Sequence, residues 1–156
     1  MAAVKVGNEI PAFRGEGTGG STIASKDLAG SRFVLYFYPR DDTPGCTTES
    51  KDFRDLHAKF KRKGVSIIGV SRDTLKSHER FKEKLGFPFE LIADPDQTIC
   101  NLFGVMKDKN MYGKKVRGIE RSTFLVDEKG VLLREWRKVK VDGHAQEVLD
   151  SLKEFS

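Results

Sequence analysis

The chain has 156 residues, of which 38% are hydrophobic and 33% are charged, and its formal net charge is +5. This composition excludes a disordered chain and predicts one globular domain over residues 1–156. No apolar run approaches the roughly 20 residues of a membrane span, and we expect no secretory signal. Two cysteines are too few for a disulfide scaffold, which predicts a cytoplasmic protein, and the basic residues are mixed with acids, so we expect no nucleic-acid partner.

The first half of the chain alternates strand-like and helix-like segments. A glycine cluster at residues 15–20 predicts a hairpin tip, so we expect an N-terminal β-hairpin extension ahead of the main sheet. The nearly unbroken apolar run at residues 33–38 predicts a strand that is covered on both faces. The remaining elements of this half are a short strand at residues 23–28, a helix at 47–63, a strand at 65–70 and a helix at 74–85.

The second half contains shorter elements and one long polar segment. Residues 89–93 predict a strand and residues 97–103 a short helix. Residues 106–118 are polar and basic, and we interpret them as a loop. Residues 121–137 predict a β-hairpin with a turn at its centre, and residues 145–155 predict a terminal helix with one apolar face.

The predicted order is βαβα, a short strand and helix, a β-hairpin and a final helix. Strands that alternate with helices predict an α/β domain with parallel strands, and the late hairpin adds antiparallel neighbours. We therefore expect a mixed central β-sheet that is flanked by helices. This pattern is compatible with a thioredoxin-like fold.

Cys46 lies between the apolar strand, which Pro39 ends, and the long helix that follows it. Pro44 and Gly45 form the turn directly before it. Amides at a helix start stabilise negative charge, so a thiol placed there ionises more easily, and the thiolate is the reactive form of cysteine. Thr43 can place a hydroxyl beside the sulfur. This pattern predicts an enzyme whose nucleophile is Cys46.

A cation is expected near Cys46, because the neighbouring Asp41 and Asp42 would otherwise favour the protonated thiol. Arg40 is the local candidate. Arg121 is more informative, since a charge that opens an apolar strand needs a partner or a function. Its planar guanidinium can also hold two oxygens at once.

Other candidate sites have weaker support. Cys100 lies between apolar residues on the short helix, and we interpret it as an inert core thiol. The three histidines, His57, His78 and His144, are scattered, so we expect no metal site. His57 follows Cys46 by eleven residues on the same helix. That spacing corresponds to about 16 Å, which is too far for a Cys–His protease pair.

The string from Tyr36 to Glu49 contains Pro39, Thr43 and Cys46 in the spacing Pro-x-x-x-Thr-x-x-Cys. This string resembles the active-site pattern of peroxiredoxins, in particular the bacterioferritin comigratory protein branch, also called the peroxiredoxin Q type. The resemblance implies a thioredoxin-like fold and a thiol peroxidase that reduces hydrogen peroxide and organic hydroperoxides. Further segments that resemble this branch cover nearly the whole chain and are residues 69–73, 91–96, 112–114 and 118–127.

The same resemblance implies a role for each candidate residue. Cys46 is the peroxidatic nucleophile, Thr43 hydrogen-bonds the peroxide and the sulfur, and Arg121 stabilises the thiolate and the developing charge. Pro39 shields the site, and Glu49 supports it by orienting an arginine. No metal or organic cofactor is implied. The implied partners are a peroxide and a reductant such as thioredoxin, glutaredoxin or a low-molecular-weight thiol, and we expect a monomer, with a dimer as the alternative.

Position 51 departs from the family pattern. Many members of this branch carry a resolving cysteine five residues after the nucleophile, whereas this chain has Lys51. Three routes remain for the sulfenic acid: reduction by an external thiol, resolution by Cys100 after local unfolding, or a transient disulfide between two chains. We favour the first route, which is a one-cysteine mechanism.

Two other functions stay open from the sequence. A disulfide oxidoreductase shares the fold but normally needs Cys-x-x-Cys, and Thr43 stands where the first cysteine would be. A thioredoxin-like binding or holdase module would carry Cys46 as an incidental thiol. One equivalent of peroxide separates these classes, because an enzyme loses a reactive thiol rapidly and a binding module does not.

Overall fold

The computed structural model describes residues 4–155, apart from the side chain of Met111. Most of its strands lie close to the apolar runs of the sequence. They are β1 (Arg14–Gly17), β2 (Ser21–Ala24), β3 (Arg32–Phe37), β4 (Val65–Ser71), β5 (Glu90–Ala93), β6 (Met106–Met111), β7 (Lys114–Ile119), β8 (Ser122–Val126) and β9 (Leu132–Trp136).

The helices of the described region connect these strands and cover the sheet. Each of them is too short or too polar to cross a membrane. They are α1 (Ser25–Leu28), α2 (Pro44–Arg62), α3 (Leu75–Leu85), α4 (Thr98–Leu102) and α5 (His144–Ser151), with 3-10 turns at Thr18–Gly20 and Leu152–Phe155.

Seven of the strands form one mixed sheet in the order β2-β1-β5-β4-β3-β8-β9. The central strands β3, β4 and β5 are parallel. The β1–β2 hairpin extends the sheet beyond β5, and the β8–β9 hairpin extends it beyond β3, both through antiparallel pairs. The predicted N-terminal hairpin extension and the predicted mixed sheet are therefore confirmed.

Strand β3 separates two apolar cores because its side chains alternate between the faces of the sheet. Val34 and Tyr36 pack on the face that is covered by α2, α3 and α5. Leu35 and Phe37 pack on the opposite face, with α4. Each of these four side chains is fully buried, which contributes roughly 1.5–3 kcal/mol per large apolar side chain. The core therefore fixes the C-terminal end of β3, where the site begins.

The prediction of a loop at residues 106–118 is wrong. Strands β6 and β7 form a separate two-stranded hairpin with Met111 opposite Lys114. Its two-residue turn is Tyr112-Gly113, and both residues have positive φ, 55° and 78°. The hairpin escaped prediction because cations replace the alternating apolar residues of an ordinary strand, and because a tyrosine takes the turn position that asparagine usually fills.

Two predicted boundaries also need correction. The strand predicted at residues 23–28 ends at Ala24, because the Ser25 hydroxyl accepts from the backbone amide of Phe13 at 3.1 Å and the chain then turns into α1. The terminal helix predicted to reach residue 155 ends at Ser151, and its last segment tightens into a 3-10 turn, a common way for a helix to end.

Candidate active site

Cys46 lies in the first turn of α2, just beyond the C-terminal end of β3. Thr43 precedes the helix with extended φ and ψ, and Pro44 takes the first helical position, where its missing N–H removes no intrahelical bond. The helix thus begins three residues earlier than predicted, which places Cys46 within the first turn. The first-turn amides have no intrahelical acceptors, so this end of the helix carries partial positive charge.

The sulfur of Cys46 faces the interior. The residue is only 1% exposed and packs in the same apolar cluster as Tyr36 and Phe53. This arrangement confirms the expectation that Cys46 and Phe53, seven residues apart on one helix, share a face.

Arg121 joins Cys46 to Glu49. Its Nη2 donates to the Cys46 Sγ at 3.4 Å, and its Nη1 donates to the Glu49 Oε1 at 2.7 Å. The strand register produces this contact, because Ser122 pairs with Phe37 and so places Arg121 beside the end of β3. Sequence reasoning named all three members of this group, and the structure brings them together.

The close packing around Arg121 depends on Gly45. A Cβ atom at position 45 would lie 3.2 Å from the Arg121 Nη2, which is tighter than an ordinary contact. Arg121 cannot easily move away, because Glu49 holds its other nitrogen. Glycine at this position therefore allows the guanidinium to reach the first turn of the helix.

Burial shifts the protonation of the Arg121–Glu49 pair. Glu49 is fully buried, and burial raises its pKa from 4.5 to about 7, although Arg121 opposes the change. Burial alone would lower the pKa of Arg121, but the Glu49 carboxylate and the Cys46 sulfur outweigh it and raise the pKa. The arginine therefore remains charged, while Glu49 titrates near neutral pH.

We expect Glu49→Gln to remove a pH-dependent loss of stability. The folded state binds the Glu49 proton more tightly than the unfolded chain does, so this stabilisation is complete below pH 4.5 and is lost as the pH rises through about 7. The difference between these two pKa values corresponds to roughly 3 kcal/mol. Urea denaturation at pH 4.5 and pH 7.5 should show the wild type losing stability relative to Glu49→Gln. The substitution Glu83→Gln, at an exposed position, serves as the control. If the free energies of unfolding of the wild type and Glu49→Gln differed by the same amount at both pH values, the raised pKa of Glu49 would be contradicted.

Asp41 lies in the loop before α2 but is not directed at the sulfur. Its buried carboxylate accepts from the Tyr38 hydroxyl at 2.6 Å and from the Ser77 hydroxyl at 2.8 Å. His78 Nδ1 lies 2.7 Å from the same carboxylate. This network anchors the loop that connects β3 to α2 to the helix α3.

His78 lies between Asp41 and the backbone of β5. Its Nε2 faces the carbonyl oxygen of Ile92 at 2.9 Å, while its Nδ1 faces the Asp41 carboxylate. Both ring nitrogens are therefore directed at oxygen atoms, which fixes the orientation of the ring. The sequence predicted that a cation would be needed near Cys46, and the cation that contacts its sulfur is Arg121.

Thr43 and Pro39 border the site without touching the sulfur through a hydrogen bond in the described structure. The Thr43 hydroxyl donates to the backbone carbonyl of Arg40 at 2.8 Å. Pro39 is partly buried two residues after the end of β3. Arg40 itself is exposed, so Arg121 is the arginine beside Cys46.

Cys100 lies on the opposite side of the sheet. It is fully buried on α4 and belongs to the second apolar core, whereas Cys46 belongs to the first. Burial and the adjacent Asp94 carboxylate raise the pKa of the Cys100 thiol well above its ordinary value. Both cysteines are free thiols in the described chain. Cys100 therefore has the surroundings of an inert thiol.

Sequence reasoning missed one residue at this end of the sheet. His78 was seen as a scattered histidine, although its place on the buried face of α3 was a usable signal. Asp41, Asp73 and His78 have ligand atoms within 4.8 Å of one another, but His78 already uses both ring nitrogens, so this group does not fit a metal ion without rearrangement.

Comparisons with known proteins agree with this geometry. The model of the AhpC/TSA family matches residues 6–134. Peroxiredoxin Bcp of Bacillus subtilis is 47% identical over 153 residues, which cover 98% of each chain. These matches include the segment that carries Cys46 and the strand that follows Arg121.

Solved structures show the same architecture. The crystal structure of a cysteine-to-serine mutant of PrxQ from Xylella fastidiosa superposes with a TM-score of 0.94 at 40% identity and covers 99% of both chains. The bacterioferritin comigratory protein of Xanthomonas campestris, studied for its alkyl peroxide reduction activity, has a TM-score of 0.88 at 50% identity and covers 92% of this chain and 91% of its own. They confirm the predicted thioredoxin-like fold. With family, fold and relatives in agreement over most of its length, the chain belongs to the AhpC/TSA family as a Bcp or peroxiredoxin Q type peroxiredoxin, and it is a thiol peroxidase.

Proposed function

We propose that Cys46 is the nucleophile of this peroxidase. The observation that carries the proposal is the 3.4 Å contact between the Arg121 Nη2 and the Cys46 Sγ. A charged donor at this distance stabilises a thiolate, and the start of α2 adds further positive potential. Because Glu49 already holds the other arm of Arg121, the donor needs no reorganisation as charge develops.

The reaction follows from the chemistry of a thiolate. The Cys46 sulfur attacks the terminal oxygen of the peroxide, and the O–O bond breaks. The sulfur is oxidised by two electrons to a sulfenic acid, while the second oxygen leaves with the bonding electrons and takes up a proton to give water or an alcohol. An external thiol then displaces the sulfenic hydroxyl as water and forms a mixed disulfide, and a second thiol releases Cys46.

We assign Thr43 and Pro39 to the binding of the peroxide. The Thr43 hydroxyl donates its hydrogen bond to the Arg40 carbonyl, so its oxygen is free to accept a hydrogen bond from the O–H of the peroxide. Pro39 has no N–H and presents only apolar surface, which excludes water from the entrance. Both hydrogen peroxide and organic hydroperoxides carry the O–H that this arrangement binds. The alkyl peroxide reduction described for the related Xanthomonas protein supports the organic class.

We propose a one-cysteine mechanism for the recovery of Cys46. Lys51 occupies the position at which many relatives carry a resolving cysteine and is exposed. Cys100 lies in the other apolar core, so the sheet separates the two sulfurs. A disulfide between them requires a large local opening, since cysteine Cα atoms in a disulfide lie within about 7 Å. An external thiol meets no such barrier.

Intact mass spectrometry of the peroxide-treated protein tests the mechanism. We expect one oxygen atom to be added at Cys46 within one turnover, and a sulfenic-acid trap to label the same residue. Peptide mapping without reductant should show Cys100 unmodified.

Two outcomes in the same spectra would contradict the one-cysteine mechanism. Loss of two hydrogens with a peptide link between Cys46 and Cys100 would make Cys100 the resolving cysteine. A linked species of twice the chain mass would instead indicate resolution between two chains.

The remaining proposals concern the state of the protein. The N-terminal and C-terminal hairpins belong to the same sheet, which supports one domain. We propose a monomer whose reductant is thioredoxin, glutaredoxin or a small thiol, and a cytoplasmic location, in keeping with two free thiols. Light scattering of the reduced protein tests the monomer, and a twofold larger mass would show a dimer.

A further inference from the structure

One peptide group in the loop between β3 and α2 has both of its polar atoms held by side chains. This peptide joins Arg40 to Asp41. Its carbonyl oxygen accepts from the Thr43 hydroxyl at 2.8 Å, and its N–H donates to the Asp73 Oδ2 at 2.8 Å. Because a trans peptide is planar, its C=O and N–H point in opposite directions, so Thr43 and Asp73 hold opposite sides of one rigid unit.

The carboxylate of Asp73 is itself fixed in position. Asp73 lies two residues after the end of β4 and is partly buried. The hydroxyl of Ser71, the buried last residue of β4, donates to the same Oδ2 atom, and the Asp73 amide donates to the Ser71 oxygen at 3.1 Å. Asp73 is therefore anchored to the central sheet, and it holds the loop from outside.

The backbone of the loop needs such an anchor. Asp42, which lies between the held peptide and Thr43, has a φ of 58°, a left-handed conformation that residues other than glycine adopt infrequently. A conformation of this kind persists only where surrounding contacts hold it. The Asp41 carboxylate supplies contacts to α3, whereas the contact of the Asp41 amide with Asp73 acts directly on the peptide that accepts from Thr43.

The Asp73 contact reaches the Thr43 hydroxyl through this peptide. Hydrogen bonds in a chain polarise one another, so an N–H that donates to a carboxylate makes the carbonyl of the same peptide a better acceptor. The hydrogen of the Thr43 hydroxyl is then held on the Arg40 carbonyl. This arrangement leaves the Thr43 oxygen oriented to accept a hydrogen bond from the O–H of the peroxide.

We propose that Asp73 is a positioning residue of the peroxidase site, which fixes the Arg40–Asp41 peptide and, through it, the oxygen of Thr43 that accepts from the peroxide. The inference rests on the proposed function, in which Thr43 binds the peroxide that Cys46 attacks. Since the hydrogen bonds of Asp73 go to the loop backbone and to the end of β4, we expect Asp73 to affect the reaction with peroxide and not the ionisation of the sulfur.

The test is a double-mutant cycle on the rate constant for oxidation of the reduced protein by hydrogen peroxide, measured by stopped flow. Thr43→Val removes the hydroxyl and should lower the rate constant about tenfold, the effect of losing one hydrogen bond in the transition state. Asp73→Ala releases the peptide and should lower it about fivefold. Because Asp73 acts through Thr43, the double variant should be about tenfold slower than the wild type, whereas independent effects would multiply to about fiftyfold.

A conservative variant, a matched control and a second reagent separate positioning from folding. Asp73→Asn keeps an oxygen that accepts from the Asp41 amide and should stay within about twofold of the wild-type rate. Lys84→Met removes an exposed ion pair with Asp42 in the same loop and should keep the wild-type rate. Iodoacetamide alkylates the Cys46 thiolate and carries no peroxide O–H, so Asp73→Ala should leave the alkylation rate within about twofold.

The outcomes distinguish this inference from the proposed function. A double variant that is slowed by the product of the two single effects, or Thr43→Val at the wild-type rate, would overturn the inference and leave Cys46 as the nucleophile. Equal slowing of oxidation and alkylation in Asp73→Ala would show that the residue only supports the fold, which would also overturn the inference. A wild-type protein whose Cys46 does not react with peroxide would overturn both.

Discussion

Replacing Cys46 by serine is expected to abolish peroxide consumption, while replacing Cys100 by serine leaves most of it. A serine hydroxyl stays protonated at neutral pH, so Arg121 and the helix start have no anion to stabilise. We expect a loss on the order of a thousandfold or more for Cys46→Ser. The measurement is steady-state loss of hydrogen peroxide with dithiothreitol as the reductant, because a small thiol needs no docking surface.

The Cys100 variants require a check of stability. A hydroxyl in the apolar core costs about 1–3 kcal/mol if it lacks a partner, so Cys100→Ser must be assayed well below its melting temperature. Cys100→Ala removes the sulfur without adding a polar group and is the second variant. Equal loss of turnover in the Cys46 and Cys100 variants, with both still folded, would show that Cys100 resolves the sulfenic acid.

Much of the site is readable from the sequence because its parts obey local rules. The apolar run of β3 fixes a buried strand, and the turn with Pro44 and Gly45 fixes the start of α2. Cys46 must then lie at a helix start beside the end of that strand. Arg121 was found for a different reason, since it is a charge placed directly before an apolar strand.

Other parts of the site depend on contacts that no local rule contains. The contact between Asp41 and His78 joins residues 37 positions apart and exists only because α3 packs beside the loop before α2. The β6–β7 hairpin lacks the alternation of an amphipathic strand, since five of its twelve strand residues are cations. Lys109 is partly buried whereas the other four cations are exposed, a difference that no local pattern contains.

The structure separates two charge networks that the sequence leaves mixed. The Asp41 carboxylate contacts His78 of α3, and Glu49 of α2 pairs with Arg121. Asp41 is therefore directed away from Cys46, which supports the proposed thiolate five residues further along the chain. We expect the charge of that sulfur to depend on Arg121.

Arg121→Met is expected to lower kcat/KM for hydrogen peroxide by about 10²–10³-fold, which is the effect of removing one preorganised donor from a developing charge. Arg121→Lys should lose less, about tenfold to a hundredfold, because it keeps the charge but has one ammonium in place of a planar fork. Two contacts, with Cys46 at 3.4 Å and Glu49 at 2.7 Å, need the two separate nitrogens of the fork. Stopped-flow measurement of the oxidation of Cys46 by hydrogen peroxide separates this step from the later reduction of the sulfenic acid.

Loss of Arg121 leaves Glu49 buried without its cation, so misfolding must be separated from lost catalysis. The double variant Arg121→Met with Glu49→Gln removes that unpaired charge, and we expect it to regain stability but not activity. Arg117→Met, an exposed arginine on β7, is the matched control and should keep the wild-type rate. If the double variant recovers activity along with stability, then Arg121 acts only as the partner of Glu49. The 3.4 Å contact with Cys46 would then have no part in stabilising the thiolate.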